Sequence, residues 1–269
     1  MYKDILVHLD GGDRDPLRID AAANIAKRFG GRLTGLFARS ENLRSHAVAR
    51  QGSEAFEQAA KHSEEQFATA TQAAGLTCRW WRLAHGEPGH VLGETAISAR
   101  FHDLIVLGQY HEGKTSPEEL VEQVIMQSGR PVLILPSVGS YPTLGTNVLA
   151  AWNGGREAAR ALHDAMPLIE QAANVEILTV RPPAKAPAGM ALPPLNILDH
   201  LAAHGVKVSK EVLGGEDIGI MDLILSRAFD QGADLLVMGA HGGYQLPFFK
   251  GAGTRHILKH MTLPVLMSH

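Results

Sequence analysis

The sequence predicts two tandem α/β domains, each built on a doubly wound parallel sheet. Three observations carry this. The chain repeats itself over a period far longer than the 20–50 residues of stacked repeats. Short apolar runs alternate with helical-period segments in both halves. Several of those runs, such as Leu104-Ile-Val-Leu and Leu235-Leu-Val-Met, are apolar throughout, as strands covered on both faces must be.

The repeat is legible in four ordered matches. Ile5-Leu-Val-His-Leu-Asp10-Gly-Gly corresponds to Val148-Leu-Ala-Ala-Trp-Asn153-Gly-Gly. Asp103-Leu-Ile-Val-Leu-Gly108 corresponds to Asp234-Leu-Leu-Val-Met-Gly239, and Arg130-Pro-Val-Leu-Ile to Leu263-Pro-Val-Leu-Met. His85-Gly-Glu87 corresponds to Gly214-Gly-Glu216. Turn formers between Ser137 and Thr146 mark a linker, so domains are expected at 1–138 and 145–269.

In the first half, strands are expected at 4–9, 32–38, 77–82, 104–107 and 132–135. Helices are expected at 16–29, 51–74, 90–100 and 117–128. Leu17, Ala21, Ile25 and Phe29 form the apolar stripe of the first helix, with Arg18, Asn24, Lys27 and Arg28 off it, and Gly30-Gly31 stops it. Ser116 and Glu119 read as a capping box with Pro117 at the first helical position. The second half repeats the order, with strands near 147–152, 174–180, 207–212, 235–238 and 265–267. Its helices fall near 156–172, 194–204, 220–231 and 253–260.

Composition narrows the function classes. Of 269 residues, 45% are hydrophobic and 20% charged, as in ordinary soluble proteins. A net charge of −3 gives no electrostatic ground for a nucleic-acid partner. The one cysteine, Cys78, excludes an intramolecular disulfide and fits a reducing compartment. No signal peptide and no membrane-spanning run are read, so a soluble cytoplasmic protein is expected.

Doubly wound sheets bind ligands beyond the carboxyl ends of their strands, where strand order reverses. In the second half this points to Met238-Gly239-Ala-His-Gly242, and then to Gly251-Ala252-Gly253-Thr254-Arg255 opening the last helix. Glycines let backbone N–H groups approach an anion, and a helix N-terminus adds unpaired donors and a favourable dipole. Thr254 offers a hydroxyl, and Lys250 or Arg255 a charge. The alternative is a glycine-rich turn that only caps a helix. The pattern lacks a third glycine for G-x-G-x-x-G and has no G-x4-G-K-[ST] loop, which disfavours dinucleotide dehydrogenases and P-loop enzymes.

These residues resemble the ATP motif of the universal stress protein family. That motif is a first strand ending in an acid, a fourth strand ending G-x2-G, a nine-residue gap, then G-[ST]. The resemblance covers both halves and implies two Rossmann-like domains. It also implies bound ATP, a stress-response or regulatory role, and no defined turnover reaction or catalytic residue. Carried over by position, Asn153 stands at the acid, Met238 leads into Gly239 and Gly242, and Gly251 with Ala252, or Gly253 with Thr254, stands at the G-[ST]. The gap is one residue short in the first alignment and one long in the second. In the first half, Asp10 is present, but Gly108-Gln-Tyr-His111-Glu-Gly113 lacks G-x2-G and no G-[ST] follows. That half is expected to bind no nucleotide. Members of the family pair through their last strands. Here Pro131–Leu135 and Pro264–Met267 would pair the halves as a pseudo-two-fold dimer within one chain, with homodimerisation of chains left open.

Other constellations read as structural. His200 with His204, and His256 with His260, stand at i, i+4, but no H-E-x-x-H surrounds them, so no metal site is assigned. His269 is expected to be solvated. Cys78 reads as a small core residue, with Trp80 and Trp81 alternating across the sheet. Trp152 reads equally as core or as an adenine-stacking ring. The acidic Asp10-Gly-Gly-Asp13 stretch lacks the terminal glutamate of an EF-hand, and no G-x-S-x-G supports a serine hydrolase. A ligand-free interaction module and an ATP-consuming enzyme are the competing functions.

Overall fold

A computed structural model describes residues 1–41, 51–113, 115–180, 196–214, 219–242 and 251–269. The chain divides into two compact units, Met1–Tyr141 and Pro142–His269. In the first, β1 (Asp4–Leu9), α1 (Asp15–Phe29), β2 (Arg32–Phe37), α2 (Glu54–Ala74) and β3 (Cys78–Arg82) come first. They are followed by α3 (Pro88–Ala99), β4 (Leu104–Gly108), α4 (Leu120–Ser128) and β5 (Val132–Leu135). The strands lie in the order β3-β2-β1-β4-β5, and each neighbouring pair runs parallel. Strand order reverses between β1 and β4, which opens the crevice that the topology assigns to ligands.

The second unit contains β6 (Asn147–Ala151), α5 (Arg156–Ile169), β7 (Asn174–Val180), α6 (Ile197–Ala203) and β8 (Val208–Leu213). It closes with α7 (Ile220–Asp230), β9 (Leu235–Gly239), α8 (Ala252–His260) and β10 (Val265–Ser268). Its order, β8-β7-β6-β9-β10, is again parallel throughout, with the reversal between β6 and β9.

The central strands follow from their composition. Leu104, Ile105, Val106 and Leu107 are fully buried, as are Leu235 and Leu236, because helices cover both sheet faces. Edge strand β3 behaves differently. Trp80 packs on Phe67 of α2, with ring centroids 5.5 Å apart, whereas Trp81 stays 63% exposed. Cys78 is exposed beside the Thr71 hydroxyl rather than in the core, because an edge strand is covered on one side only.

One helix start and one buried side chain correct the sequence reading. α4 begins at Leu120, and Ser116 is no cap: its hydroxyl donates to the Asp10 carboxylate at 2.8 Å. Arg18, placed off the apolar stripe of α1, is only 5% exposed. Its guanidinium pairs with both Asp10 and Asp15, and paired charge tolerates burial where lone charge does not.

Candidate functional site

In the second unit the reversal between β6 and β9 opens a cavity of about 200 Å³. Asn153, Met238, Gly239, Gly242, Gly251, Gly253 and Thr254 all line it. Ala252 does not, and faces solvent instead. Leu178 and Val180 of β7, with Ile220, Met221 and Ile224 of α7, supply an apolar wall that the motif reading missed. The switch-point rule was the available signal, since it directs attention to every neighbouring strand end. Trp152 lines the cavity, half-buried. Gly243–Lys250, Lys250 included, and the Gly215-Glu216 part of the repeat lie outside the described residues.

Local backbone chemistry explains the glycines. A Cβ at Gly239 would come within 2.5 Å of the Glu157 carbonyl carbon and 2.6 Å of the Ala158 nitrogen, so only glycine admits α5 this close to β9. Gly251, the N-cap of α8, has φ 86° and would press a Cβ to 2.5 Å from the His241 ring. Gly251 has no side chain with which to cap α8, and a helix's first turn leaves N–H groups without intrahelical acceptors, here beside the cavity that Gly251, Gly253 and Thr254 line. The Thr254 hydroxyl is 4% exposed and accepts the backbone N–H of His241 at 2.8 Å. Asn153 Oδ1 accepts the Gly155 N–H at 2.8 Å, which starts α5.

Glu157, also overlooked, brings a carboxylate to this cavity. Partial burial pushes its carboxyl up, but its own backbone N–H, Arg156 and His269 outweigh that and hold it below the ordinary value. His269 is not freely solvated: its ring donates to the Ala240 carbonyl at 3.0 Å.

The corresponding strand ends of the first unit are satisfied internally. Asp10 is 5% exposed; it pairs with Arg18 and accepts from Ser116 Oγ and the Gly12 N–H. Asp15 is fully buried, pairs with Arg18, and accepts from Ser63 Oγ and the Gly11 N–H. Burial raises both carboxyls. Arg18, with His8 and Ser116, overrides this at Asp10 and holds it far below the carboxylate range, while the neighbouring Asp10 charge helps leave Asp15 raised. His8 is lowered to about 4 by burial and by Arg18, and as a neutral ring it donates to the Ala38 carbonyl at 2.7 Å. A Cβ at Gly108 would lie 2.7 Å from Arg18 Nη1. The repeat register sets Asp15 against Ala158 and Arg18 against Ala161. The second unit therefore lacks this buried ion-pair cluster. A cavity of about 290 Å³ in the first unit is lined by Asp10, Arg18, Gly108 and Ser116 themselves, together with Leu17, Gln109, Tyr110, Leu135 and Pro136.

The histidine pairs bring rings together, His200 on His204 at 4.9 Å and His256 on His260 at 4.6 Å, with His256 also bonded to Asp222. Among the described residues no group of three metal-binding side chains occurs, and no helix is long and apolar enough to cross a membrane.

Five parallel strands in each unit, with a cavity at each reversal of strand order, define a tandem Rossmann-like α/β protein. Residues 1–136 and 146–269 each match the model of the universal stress protein family, and the chain belongs to that family. A universal stress protein from Archaeoglobus fulgidus superposes with a TM-score of 0.69 at 18% identity, covering 98% of this chain and 97% of that one. A functionally unknown protein from Pseudomonas aeruginosa gives 0.62 at 15%, covering 99% and 92%. A universal stress protein from Archaeoglobus fulgidus in complex with dAMP gives 0.36 at 17%, covering 49% and 97%. No curated protein matches the sequence.

Proposed function

We propose that the second unit binds an adenine nucleotide, with ATP the ligand the family resemblance implies. In this reading the protein is a regulatory stress-response module without a turnover reaction of its own. One contrast carries the reading. The cavity between β6 and β9 is glycine-lined and adjoins the N-terminus of α8, whereas the cavity at the matching strand ends of the first unit is lined by the Asp10–Arg18 ion pair. The apolar wall from β7 and α7 suits a base, with Trp152 beside it, and the N–H groups around Gly251–Thr254 suit phosphate. Asn153 replaces the family's acid as a neutral partner for ribose or base.

A second reading, a ligand-free interaction module, is favoured by the missing hydroxyl at Ala252. Mass spectrometry of ligand released from the purified protein, together with calorimetric titration of ATP and AMP, separates the two. Stoichiometric binding of one nucleotide per chain supports the first reading. No binding at millimolar ligand by a folded protein supports the second.

A further inference from the structure

Glu157 stands where the proposed site would receive negative charge. It is the second residue of α5, and its side chain is 13% exposed. Its Oε2 lies 3.1 Å from the position of a Cβ on Gly242 and 3.5 Å from that on Gly155. The carboxylate thus lies beside two glycines near which a phosphate would need to approach. Among the described residues lining the cavity it is the one charged side chain. The repeat register places Arg14 at the same position of the first unit, where its guanidinium donates to the Pro136 and Gly139 carbonyls. The sign of the charge at this position therefore differs between the two halves.

We infer that Glu157 makes this site select adenosine and AMP over adenine polyphosphates. The inference rests on the nucleotide reading above and names the ligand class within it. One phosphate at the first turn of α8 gains backbone donors and the helix dipole. A phosphate chain extending past Gly242 brings further negative charge against a carboxylate that Arg156 and the α5 backbone hold in place. Like charges at such range, partly shielded from water, repel strongly. Binding Mg²⁺ to ATP removes much of that charge before the ligand arrives.

The test is calorimetric titration of the full chain with adenosine, AMP, ADP and ATP, first in chelator and then with Mg²⁺. In chelator, AMP is expected to bind about tenfold or more tightly than ATP, with ADP between them. Mg²⁺ should raise ATP affinity severalfold and leave adenosine unchanged. Glu157→Gln should bring ATP to within about threefold of AMP, again without moving adenosine. If wild-type protein binds free ATP as tightly as AMP, or Glu157→Gln weakens ATP, the selectivity role is overturned while the nucleotide reading stands. If no compound, adenosine included, binds the folded protein, the nucleotide reading falls and takes this inference with it. The Mg²⁺ comparison on wild-type protein decides the matter even if the variant does not fold.

Discussion

The backbone N–H of His241 donates to the Thr254 hydroxyl at 2.8 Å, tying the end of β9 to the first turn of α8. His241 is also the one non-glycine among the described residues with a positive φ, 54°. The hydroxyl that the motif offered as a phosphate donor thus accepts inside the protein through one lone pair, while its O–H keeps its capacity to donate. Thr254→Ala is expected to cost about 1–3 kcal/mol of stability, because it leaves the His241 N–H without its acceptor. Nucleotide affinity should change less than about threefold. A thermal melt and a titration of the same variant measure both. A large affinity loss with unchanged stability would instead assign Thr254 to the ligand.

Gly242 and Gly239 are expected to fail differently. Among the described residues a Cβ at Gly242 meets the Glu157 side chain, nearest at its carboxylate 3.1 Å away, rather than backbone, so Gly242→Val should fold and lose nucleotide binding. A Cβ at Gly239 meets α5 backbone, so Gly239→Ala should destabilise the second unit by about 1–3 kcal/mol, whatever it does to ligand. Urea titrations of both variants, read beside binding, distinguish packing from contact.

Arg18 neutralises two buried carboxylates at once. Arg18→Met should destabilise the protein by about 3–5 kcal/mol at neutral pH, because Asp10 and Asp15 are left buried without their partner. Part of that loss should return as pH falls toward 5, since protonation relieves an uncompensated carboxylate. Nucleotide binding by the second unit should persist at temperatures where the variant remains folded. Urea midpoints at pH 7 and pH 5 supply the check.

His8 predicts a weakening of the fold in mild acid. Its folded pKa is lowered to about 4 from 6.5, so the folded state favours the neutral ring. The resulting stabilisation is complete above the unfolded pKa and is lost as pH falls from about 6.5 through about 4. It amounts to roughly 3 kcal/mol over that window. His8→Gln should flatten the dependence of the urea midpoint between pH 6.5 and 4. An equally steep profile in the variant would place the titrating group elsewhere.

Much of the architecture was legible because it rests on local chemistry. Apolar runs of four residues become strands wherever both faces are covered, and β4 and β9 end where Gly108 and Gly239 stand. The repeat then located both switch points, and with them seven of the eight proposed site residues that line one cavity. The failures were of another kind. Periodicity assigns a charged residue to solvent, so Arg18 was misplaced. Its burial depends on Asp10 and Asp15, whose remaining lone pairs are satisfied by Ser116 and by Ser63, residues brought in by distant segments. The capping motif at Ser116 failed for the same reason, because Asp10 competed successfully for that hydroxyl.

By itself, the sequence determined the duplication, the order of strands and helices, and the family, since these depend on residue type and spacing. Only the tertiary structure decided what charge each strand-end cavity presents. That outcome depends on groups far apart in sequence meeting at the end of the sheet. Asp10, Arg18 and Asp15 line or back one cavity with ion pairs, whereas Ala158 and Ala161 leave the other without them and Glu157 sets a carboxylate beside its glycines.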